Sequence, residues 1–167
     1  MRHLARALTV LRRALIVVLL AVLSVHYVRQ WNDDSGARGI NDPMSELQGE
    51  GSVTAIPVGK SFRIDEDLFT ADDVYVTSKS ILVTYTYRAK QTRNSWSFPG
   101  TRLWLVTSDG EQLIGRTSGS NGTSWGSRGY VTYDMPDRPA DRAKLVYDIY
   151  DRYGEIEIPL AKAGDGT

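Results

Sequence analysis

ILVTYTYR, residues 81–88, is the stretch of sequence that decides the fold. Its large apolar and aromatic side chains occupy alternate positions, at Ile81, Val83, Tyr85 and Tyr87. Successive side chains of a strand point to opposite faces of a sheet. This alternation therefore predicts a β-strand with one face in the protein core.

The same alternation recurs in later segments of the chain. It is present in RLWLVTSDGEQLIG (102–115), GYVTYDMP (129–136), AKLVYDIY (143–150) and EIEIPL (155–160). In GYVTYDMP we expect Val131, Tyr133 and Met135 to face the core. This row of aromatic residues is therefore interpreted as one side of a buried sheet and not as a binding surface.

Shorter runs at 53–58, 61–64 and 74–77 bring the predicted total to eight or nine strands. Turn residues separate the strands, and Ser108-Asp109-Gly110 is typical of a hairpin turn. No segment after residue 51 has a helical period. The sequence therefore predicts an all-β fold, an antiparallel immunoglobulin-like β-sandwich of about 7–9 strands over residues 52–161.

The charge and composition of the chain exclude several classes of function. Residues 1–30 carry five arginines and no acidic residue, which leaves a net charge of −5 on residues 31–167. Such an acidic body argues against nucleic acid as a partner, because phosphate binding needs a basic surface. The chain has no cysteine, so disulfides, zinc–thiolate sites and cysteine nucleophiles are excluded.

The two histidines, His3 and His26, both lie in the N-terminal segment. The domain downstream therefore has no imidazole for a catalytic triad or a histidine metal site. An enzyme would need paired carboxylates or a Ser–Lys pair instead, and the spacing of these residues offers neither. We therefore expect a protein that is not an enzyme and that has no metal site and no cofactor.

The run ALIVVLLAVLSVHYV, residues 14–28, is apolar except for Ser24, His26 and Tyr27. Fifteen helical residues span roughly 22 Å, which is shorter than the roughly 30 Å hydrocarbon core of a bilayer. Two interpretations remain open. The run is either an uncleaved membrane anchor, with Tyr27 and Trp31 at the far interface, or a signal peptide that is removed.

Residues 1–31 are thus predicted to form a basic cytoplasmic end followed by the anchor or signal segment, which meets the lipid bilayer through residues 14–28. Four arginines precede the apolar run and one follows it. Since positively charged flanks stay in the cytoplasm, we expect residues 31–167 to lie outside the cell. The predicted location is the cell membrane with a single pass, and the domain is secreted if the segment is cleaved.

Residues 32–51, NDDSGARGINDPMSELQGEG, collect Asn, Asp, Gly, Ser and Pro without a sustained apolar period. We expect a flexible linker here, which could contain one helical turn around Met44–Leu47. Residues 162–167 are expected to be a disordered tail.

The order of these features resembles that of the telokin-like, immunoglobulin-fold extracellular domains of Gram-positive bacterial secreted and membrane-anchored proteins, a family of unknown function. The matching pieces are ILVTYTYR, LWLVTSDGEQL, GYVTYDMP and KLVY. Two features depart from the family: no lipobox cysteine follows the apolar run, and Tyr-Arg-Ala-Lys replaces the asparagine that usually ends the long strand. The resemblance implies a sandwich outside the cell and supplies no catalytic residues.

Two stretches between predicted strands contain candidate binding residues. NSWSFPG (94–100) contains Trp96 and Phe98, and the Gly/Ser-rich GSNGTSWGSRG (119–129), interpreted as a mobile hairpin loop, contains Trp125 and Arg128. Loop tryptophans either fold back as a lid on the core or serve as anchors for a partner, since Trp and Arg are enriched at interface hot spots. A third candidate, the acidic cluster at residues 65–73, leaves calcium binding open.

We therefore expect a non-catalytic, membrane-tethered, extracytoplasmic interaction module with a protein partner, such as an accessory subunit of a membrane or cell-envelope complex. The alternative is a receptor domain that binds a small ligand or a glycan through its loop aromatics. A pocket between the loops favours the receptor, and a flat aromatic patch favours a protein partner.

Overall fold

The structure is a computed structural model that describes residues 11–25, 42–91 and 98–161, except for the side chain of Thr117. The chain divides into two compact units, Met1–Ser35 and Gly36–Thr167. The candidate site lies in the second unit, and each unit is described by itself below.

In the first unit, residues 11–25 are helical and exposed to solvent along their whole length. The large apolar side chains of this helix have exposed fractions between 48%, at Leu23, and 65%, at Val17. No helix within the described ranges combines the length and the apolar content that a membrane crossing requires, so the predicted transmembrane helix is not found there. Residues 26–28, the end of the predicted anchor, lie outside the described residues.

The described part of the second unit contains nine strands: β1 (Thr54–Ile64), β2 (Asp67–Val76), β3 (Ser80–Arg88), β4 (Leu103–Thr107), β5 (Gln112–Ile114), β6 (Thr117–Thr123), β7 (Gly126–Asp134), β8 (Arg142–Ile149) and β9 (Arg152–Pro159). They form a five-stranded sheet in the order β1-β2-β3-β7-β6 and a four-stranded sheet in the order β5-β4-β8-β9. All neighbouring strands are antiparallel. The predicted all-β sandwich is therefore confirmed as an antiparallel fold in two sheets.

The path of the chain joins the two sheets into one sandwich. The connections from β3 to β4, from β5 to β6 and from β7 to β8 each cross from one sheet to the other. A short 3₁₀ turn, Gly100–Arg102, leads into β4, and a second one, Pro43–Leu47, precedes β1. The sequence interpretation of a helical turn around Met44–Leu47 is thus confirmed.

Two strand predictions need correction. The runs 53–58 and 61–64 belong to one strand of 11 residues, β1, whose pairing with β2 shifts register between Pro57 and Lys60. The Gly/Ser-rich stretch 119–129 was expected to be a hairpin loop, but most of it lies in β6 and β7, which pair continuously from Thr117 to Thr123. The small residues of this stretch show no apolar alternation, so the sequence gives no local signal for a strand. The strand β6 forms because its backbone pairs with β7.

The core lies between the sheets and follows the predicted alternation. Ile81, Val83, Tyr85 and Tyr87 are at most 1% exposed, which confirms the interpretation of ILVTYTYR. Val131 and Tyr133 of β7 are fully buried beside them, and the Tyr133 hydroxyl donates a hydrogen bond to the Leu103 carbonyl at 3.1 Å. GYVTYDMP is therefore a sheet segment that contributes to the core, as expected.

The outer face of the five-stranded sheet is partly covered by residues 42–50, here called the strap. Leu47 of the strap is only 3% exposed and packs with Leu82 and Tyr130. The Tyr130 hydroxyl donates a hydrogen bond to Glu46 Oε1 at 3.0 Å. Leu47 of the strap covers Leu82, which would otherwise be exposed to water. This apolar contact stabilises the fold.

Polar contacts fix the other end of the strap. The carboxylate of Glu50 accepts hydrogen bonds from Thr77 Oγ1 at 2.8 Å and from Ser80 Oγ at 3.1 Å. Arg116 lies 3.9 Å from the same carboxylate. The strap lies within residues 32–51, the predicted linker, and the residues that contact it on the sheet are distant in sequence. Residues 32–41 lie outside the described residues.

We predict that Tyr133→Ala destabilises the domain by about 3–5 kcal/mol, because it leaves a cavity where a fully buried ring was packed and removes the hydrogen bond to Leu103. The matched control is Tyr153→Ala in β9, whose side chain is 58% exposed and whose truncation should cost less than about 0.5 kcal/mol. Equilibrium unfolding in urea measures both values. Equal losses in the two variants would contradict the assigned core.

Candidate functional site

Trp125 lies in the turn between β6 and β7, over the outer face of the five-stranded sheet. Its ring centre is 5.3 Å from the Arg88 guanidinium carbon and 5.5 Å from that of Arg128. Both distances are within the range of a cation–π interaction. The ring is therefore held on the sheet surface by two cations.

Strand pairing explains why these arginines meet at one ring. β3 pairs with β7 so that Arg88 is opposite Gly126 and Thr86 is opposite Arg128. Residues two apart in a strand, and residues directly opposite in a pair, share one face of the sheet. Arg88, Thr86 and Arg128 therefore lie on the same outer face.

Backbone contacts position the turn that carries the tryptophan. The Ala89 amide donates a hydrogen bond to the Trp125 carbonyl at 2.9 Å, which ties the turn to the end of β3. Gly126 has φ of +154°, and a Cβ atom there would lie 2.0 Å from the Tyr87 carbonyl oxygen. Only glycine fits this close approach, so the Trp-Gly pair sets the position of the ring.

A bulge in β2 brings a carboxylate to the same surface. The pairing of β2 with β3 shifts register between Ala71 and Val74, and bulges of this kind redirect side chains. Thr84 Oγ1 bridges the bulge, because it accepts from the Asp73 amide at 3.1 Å and donates to the Asp73 carbonyl at 3.3 Å. Asp72 is turned to the outer face, where it accepts a hydrogen bond from Thr86 Oγ1 at 2.7 Å.

The side-chain carboxyl group of Asp72 is partly shielded from solvent. Burial raises the pKa of this carboxyl above its ordinary value, and the nearby Asp73 charge acts in the same direction. The hydrogen bond from Thr86 and the charges of Arg128 and Arg88 lower the pKa but do not offset burial. The ionised carboxylate therefore lowers the stability of the fold, which is common for residues kept for binding or catalysis.

A shallow groove of about 180 Å³ lies next to the tryptophan. Its lining comprises Pro43 from the strap and residues of the sheet: Asp72, Thr84, Tyr85, Arg128, Gly129 and Tyr130. Pockets for small ligands usually measure about 300–1,000 Å³, so this groove is small for that role. Its size suits one side chain of a partner or one ring of a larger ligand.

The structure brings together two of the four residues predicted to bind a partner. Trp125 and Arg128 are in contact on the outer face. Trp125 is half-buried in this position. Trp96 lies in residues 92–97, outside the described part of the chain.

Phe98, a candidate binding residue from the sequence, is placed in the core. It is 5% exposed, and its ring stacks on Tyr87 at 4.9 Å and on Tyr147 at 5.4 Å between ring centres. A buried ring in this position fills space between the two sheets.

Neither Arg88 nor Tyr130 is selected by sequence reasoning, which includes Asp72 only in the acidic cluster considered for calcium. Arg88 ends ILVTYTYR on the face opposite the core, so the alternation contained a signal for it. Tyr130 is adjacent to the core residue Val131, so the same alternation places it on the outer face. The position of Asp72 beside this surface had no local signal, because its direction depends on the bulge in β2.

The acidic cluster at 65–73 is divided among separate partners. Asp65 pairs with Arg152 at 2.8 Å, and Glu66 pairs with Lys90 at 2.6 Å. Asp67 accepts hydrogen bonds from the Tyr87 hydroxyl and from the Lys90 amide. Within the described ranges no three acidic or histidine side chains converge on one point, so the calcium alternative gains no support.

Comparisons with protein-family models, with curated proteins and with solved structures find no match for this chain. The chemistry of the site is therefore inferred from the side chains of this protein alone. Tryptophan and arginine, which are in contact here, are residue types enriched at the energetic centres of protein interfaces. The Asp72 carboxylate and the Arg128 guanidinium add an acceptor and a donor beside it.

We predict that Asp72→Asn raises the stability of the protein at neutral pH. The folded-state pKa of Asp72 is raised, so the native state binds the proton more tightly than the unfolded state and ionisation destabilises the fold. The gain should shrink as pH falls through the raised pKa and disappear below the ordinary value of 3.8. Urea unfolding at pH 7 and pH 3 measures it, and a variant less stable than wild type at pH 7 would contradict the assignment.

Proposed function

We propose that the protein is a non-catalytic interaction module of the cell envelope, tethered to the membrane outside the cell, and that it contacts a protein partner through the Trp125 surface. This surface consists of Trp125, Arg88 and Arg128, with Asp72 and Tyr130 beside them. The observation that carries the proposal is the tryptophan ring in contact with two guanidinium groups on an outer sheet face.

The composition and rigidity of this surface support a protein contact. Trp, Tyr and Arg are the residue types most enriched at the energetic centres of interfaces. The ring already has its position fixed by the Ala89–Trp125 backbone hydrogen bond and by the arginines, so binding costs little additional side-chain entropy. A surface of this kind binds a partner through non-covalent contacts and needs no reactive side chain.

The first unit supports the tether. A helix with exposed apolar side chains over residues 11–25 is a surface that soluble proteins rarely leave uncovered. Arg12 and Arg13 follow its first residue, and the excess of arginine before the apolar run favours a cytoplasmic N-terminus. We place the anchor at residues 14–28, and removal as a signal peptide is the competing outcome.

The sandwich itself supports an extracellular setting. We propose that it is an immunoglobulin-like domain of the telokin-like extracellular family, on the basis of the sequence resemblance and of the crossing connections between its two sheets. Its stability comes from an apolar core without any disulfide. The absence of cysteine and of histidine after residue 26 supports a role other than catalysis.

A second candidate is a receptor for a glycan or another small polar ligand. The groove beside Trp125 favours it, because Asp72 and Arg128 offer an acceptor and a donor next to the Tyr130 ring. The groove volume of about 180 Å³ favours the protein partner over this candidate. Retention of the full-length chain on immobilised envelope glycans, lost in Asp72→Ala, would favour the receptor.

We predict that protease added to intact spheroplasts removes a C-terminal epitope tag from the full-length chain and leaves an N-terminal tag intact. The reason is the arginine asymmetry around residues 14–28, which keeps the N-terminus in the cytoplasm. Immunoblots of both tags measure the outcome. Protection of the C-terminal tag until the membrane is permeabilised would show that the orientation is wrong.

We predict that Trp125→Ala leaves the melting temperature nearly unchanged but removes specific proteins from the set that co-purifies with the full-length chain after cross-linking in membranes. The ring packs on arginines outside the core, so its loss affects contact with a partner more than folding. Quantitative mass spectrometry of the captured proteins measures the loss.

Tyr153→Ala serves as the matched control, because it truncates an exposed aromatic residue on the four-stranded sheet. Arg128→Ala should reproduce the effect of Trp125→Ala, and the control should not. Identical capture by all three variants would rule out the Trp125 surface. A large fall in melting temperature for Trp125→Ala would instead make the ring a structural element.

A further inference from the structure

The strap, residues 42–50, covers the outer face of the five-stranded sheet through side-chain contacts and is not a strand of that sheet. Leu47 is its only buried residue, and Gln48 and Gly49 are exposed. The backbone hydrogen bonds that the amides of Gln48 and Glu50 donate go to other strap residues. A segment held in this way opens at a lower cost in free energy than a paired strand.

Two glycines give the C-terminal end of the strap freedom to turn. Gly49 and Gly51 have φ of +83° and +90°, and a Cβ atom at either would meet nothing within 4 Å. Glycine is the residue that adopts such angles without strain, and open space around it leaves other angles accessible. The strap can therefore swing away on these glycines while β1, which begins at Thr54, keeps its pairing with β2.

The surface beneath the strap has an apolar centre and hydrogen-bond donors at both ends. Leu82 forms the centre, and the Tyr130 hydroxyl is the donor at one end. The hydroxyls of Thr77 and Ser80 are the donors at the other end, with Arg116 3.3 Å from the Ser80 hydroxyl. We call these five residues the strap site. Donors on both sides of an apolar centre suit a segment that carries a carboxylate on each side of an apolar residue.

The strap itself shows which chemistry fits the strap site. Its last five residues, ELQGE (46–50), contain two glutamates with a leucine after the first. Glu46 accepts from one end of the site, Leu47 covers the centre, and Glu50 accepts from the other end. The ligand class of this site is therefore an acidic peptide segment that contains a leucine.

The strap site is continuous with the Trp125 surface. Tyr130 belongs to both, and Pro43 of the strap lines the groove beside Tyr130. A protein bound to the Trp125 surface therefore meets the strap. Once the strap is displaced, the same protein can extend its interface along this face of the sheet.

We propose that the strap is an internal competitor for the strap site and that the partner protein displaces it with an acidic, leucine-containing segment of its own. The existence of that partner rests on the proposed function. A segment of the same chain has a high effective concentration, so it occupies the site although its contacts are few. The apparent affinity of a competing segment falls in proportion to the fraction of molecules in which the strap is open. The strap thus selects for a partner that engages the Trp125 surface as well.

A labelled peptide of residues 42–50, DPMSELQGE, is the probe, and the protein is the full-length chain in detergent micelles. The substitution Leu47→Asp releases the strap, because it would place a carboxylate against Leu82. The matched control is Gln48→Asp, which adds the same charge at the exposed neighbouring position. Fluorescence anisotropy measures the affinity of the peptide for each chain.

We expect the Leu47→Asp chain to bind the peptide at least about tenfold more tightly than the wild-type and Gln48→Asp chains, because its site is no longer occupied. A peptide that carries Leu47→Asp should bind this chain at least about tenfold more weakly than one that carries Gln48→Asp. Melting temperatures show whether each chain is folded. Glu46→Ala, which removes only the hydrogen bond to Tyr130 from the strap side, should give a smaller gain in the same direction.

Equal affinity of the peptide for the wild-type and both strap-released chains, Leu47→Asp and Glu46→Ala, would overturn the proposal. So would equal affinity of the Leu47→Asp chain for the two substituted peptides, because the peptide would then not use the Leu82 centre. If the Leu47→Asp chain does not fold, the comparison of Glu46→Ala with wild type decides.

Capture from membranes tests whether a partner uses the strap site. The Leu47→Asp chain should capture at least about threefold more than wild type of the proteins that Trp125→Ala loses, and excess peptide should cancel the increase. Capture that needs Trp125 but does not rise in Leu47→Asp would overturn the strap proposal and leave the Trp125 surface in place. Absence of any protein that needs Trp125 would contradict the proposed function, and the peptide affinities would still decide whether the strap site binds an acidic segment.

Discussion

The burial of β3 on both of its faces is the constraint on which the rest of the structure depends. Antiparallel sheets commonly leave one face in water, with polar residues at alternate positions. In β3 the inner residues Tyr85 and Tyr87 are buried between the sheets, and the outer residues Leu82 and Thr86 are buried as well. The outer side of this strand therefore has to be covered by other parts of the chain.

The strap and the turn that carries Trp125 cover the outer side of β3, and together they form the candidate site. The strap places Leu47 over Leu82, while Asp72 accepts the hydrogen bond of the Thr86 hydroxyl. The turn after β6 brings Trp125 to the arginine that faces Thr86 across the pair. The groove lies between the two coverings, with Pro43 of the strap on one side and Arg128 on the other.

This arrangement places stabilising contacts and the proposed recognition surface on one sheet face. Contacts such as Leu47 on Leu82 stabilise the fold through apolar burial, whereas the half-buried Asp72 carboxylate works against it. The tryptophan and arginines lie outside the core and contribute a preorganised surface.

The sequence by itself determined the core of the sandwich. Alternation at Ile81–Arg88 and at Gly129–Pro136 reports directly which side chains face inward, because the strand period is a local property of the backbone. Trp125 and Arg128 could also be selected from composition and spacing. The strand β6 and the strap could not, since small polar residues look alike in a loop, in an edge strand and in a docked segment.

Only the tertiary structure decided how the outer face is assembled. The bulge that redirects Asp72, the burial of Phe98 between the sheets and the docking of Leu47 each depend on partners far away in the sequence. A one-residue shift of register in β2 would move Asp72 to the opposite face of the sheet. Local pattern determines what a strand buries, and the contacts between distant strands determine which residues meet at its surface.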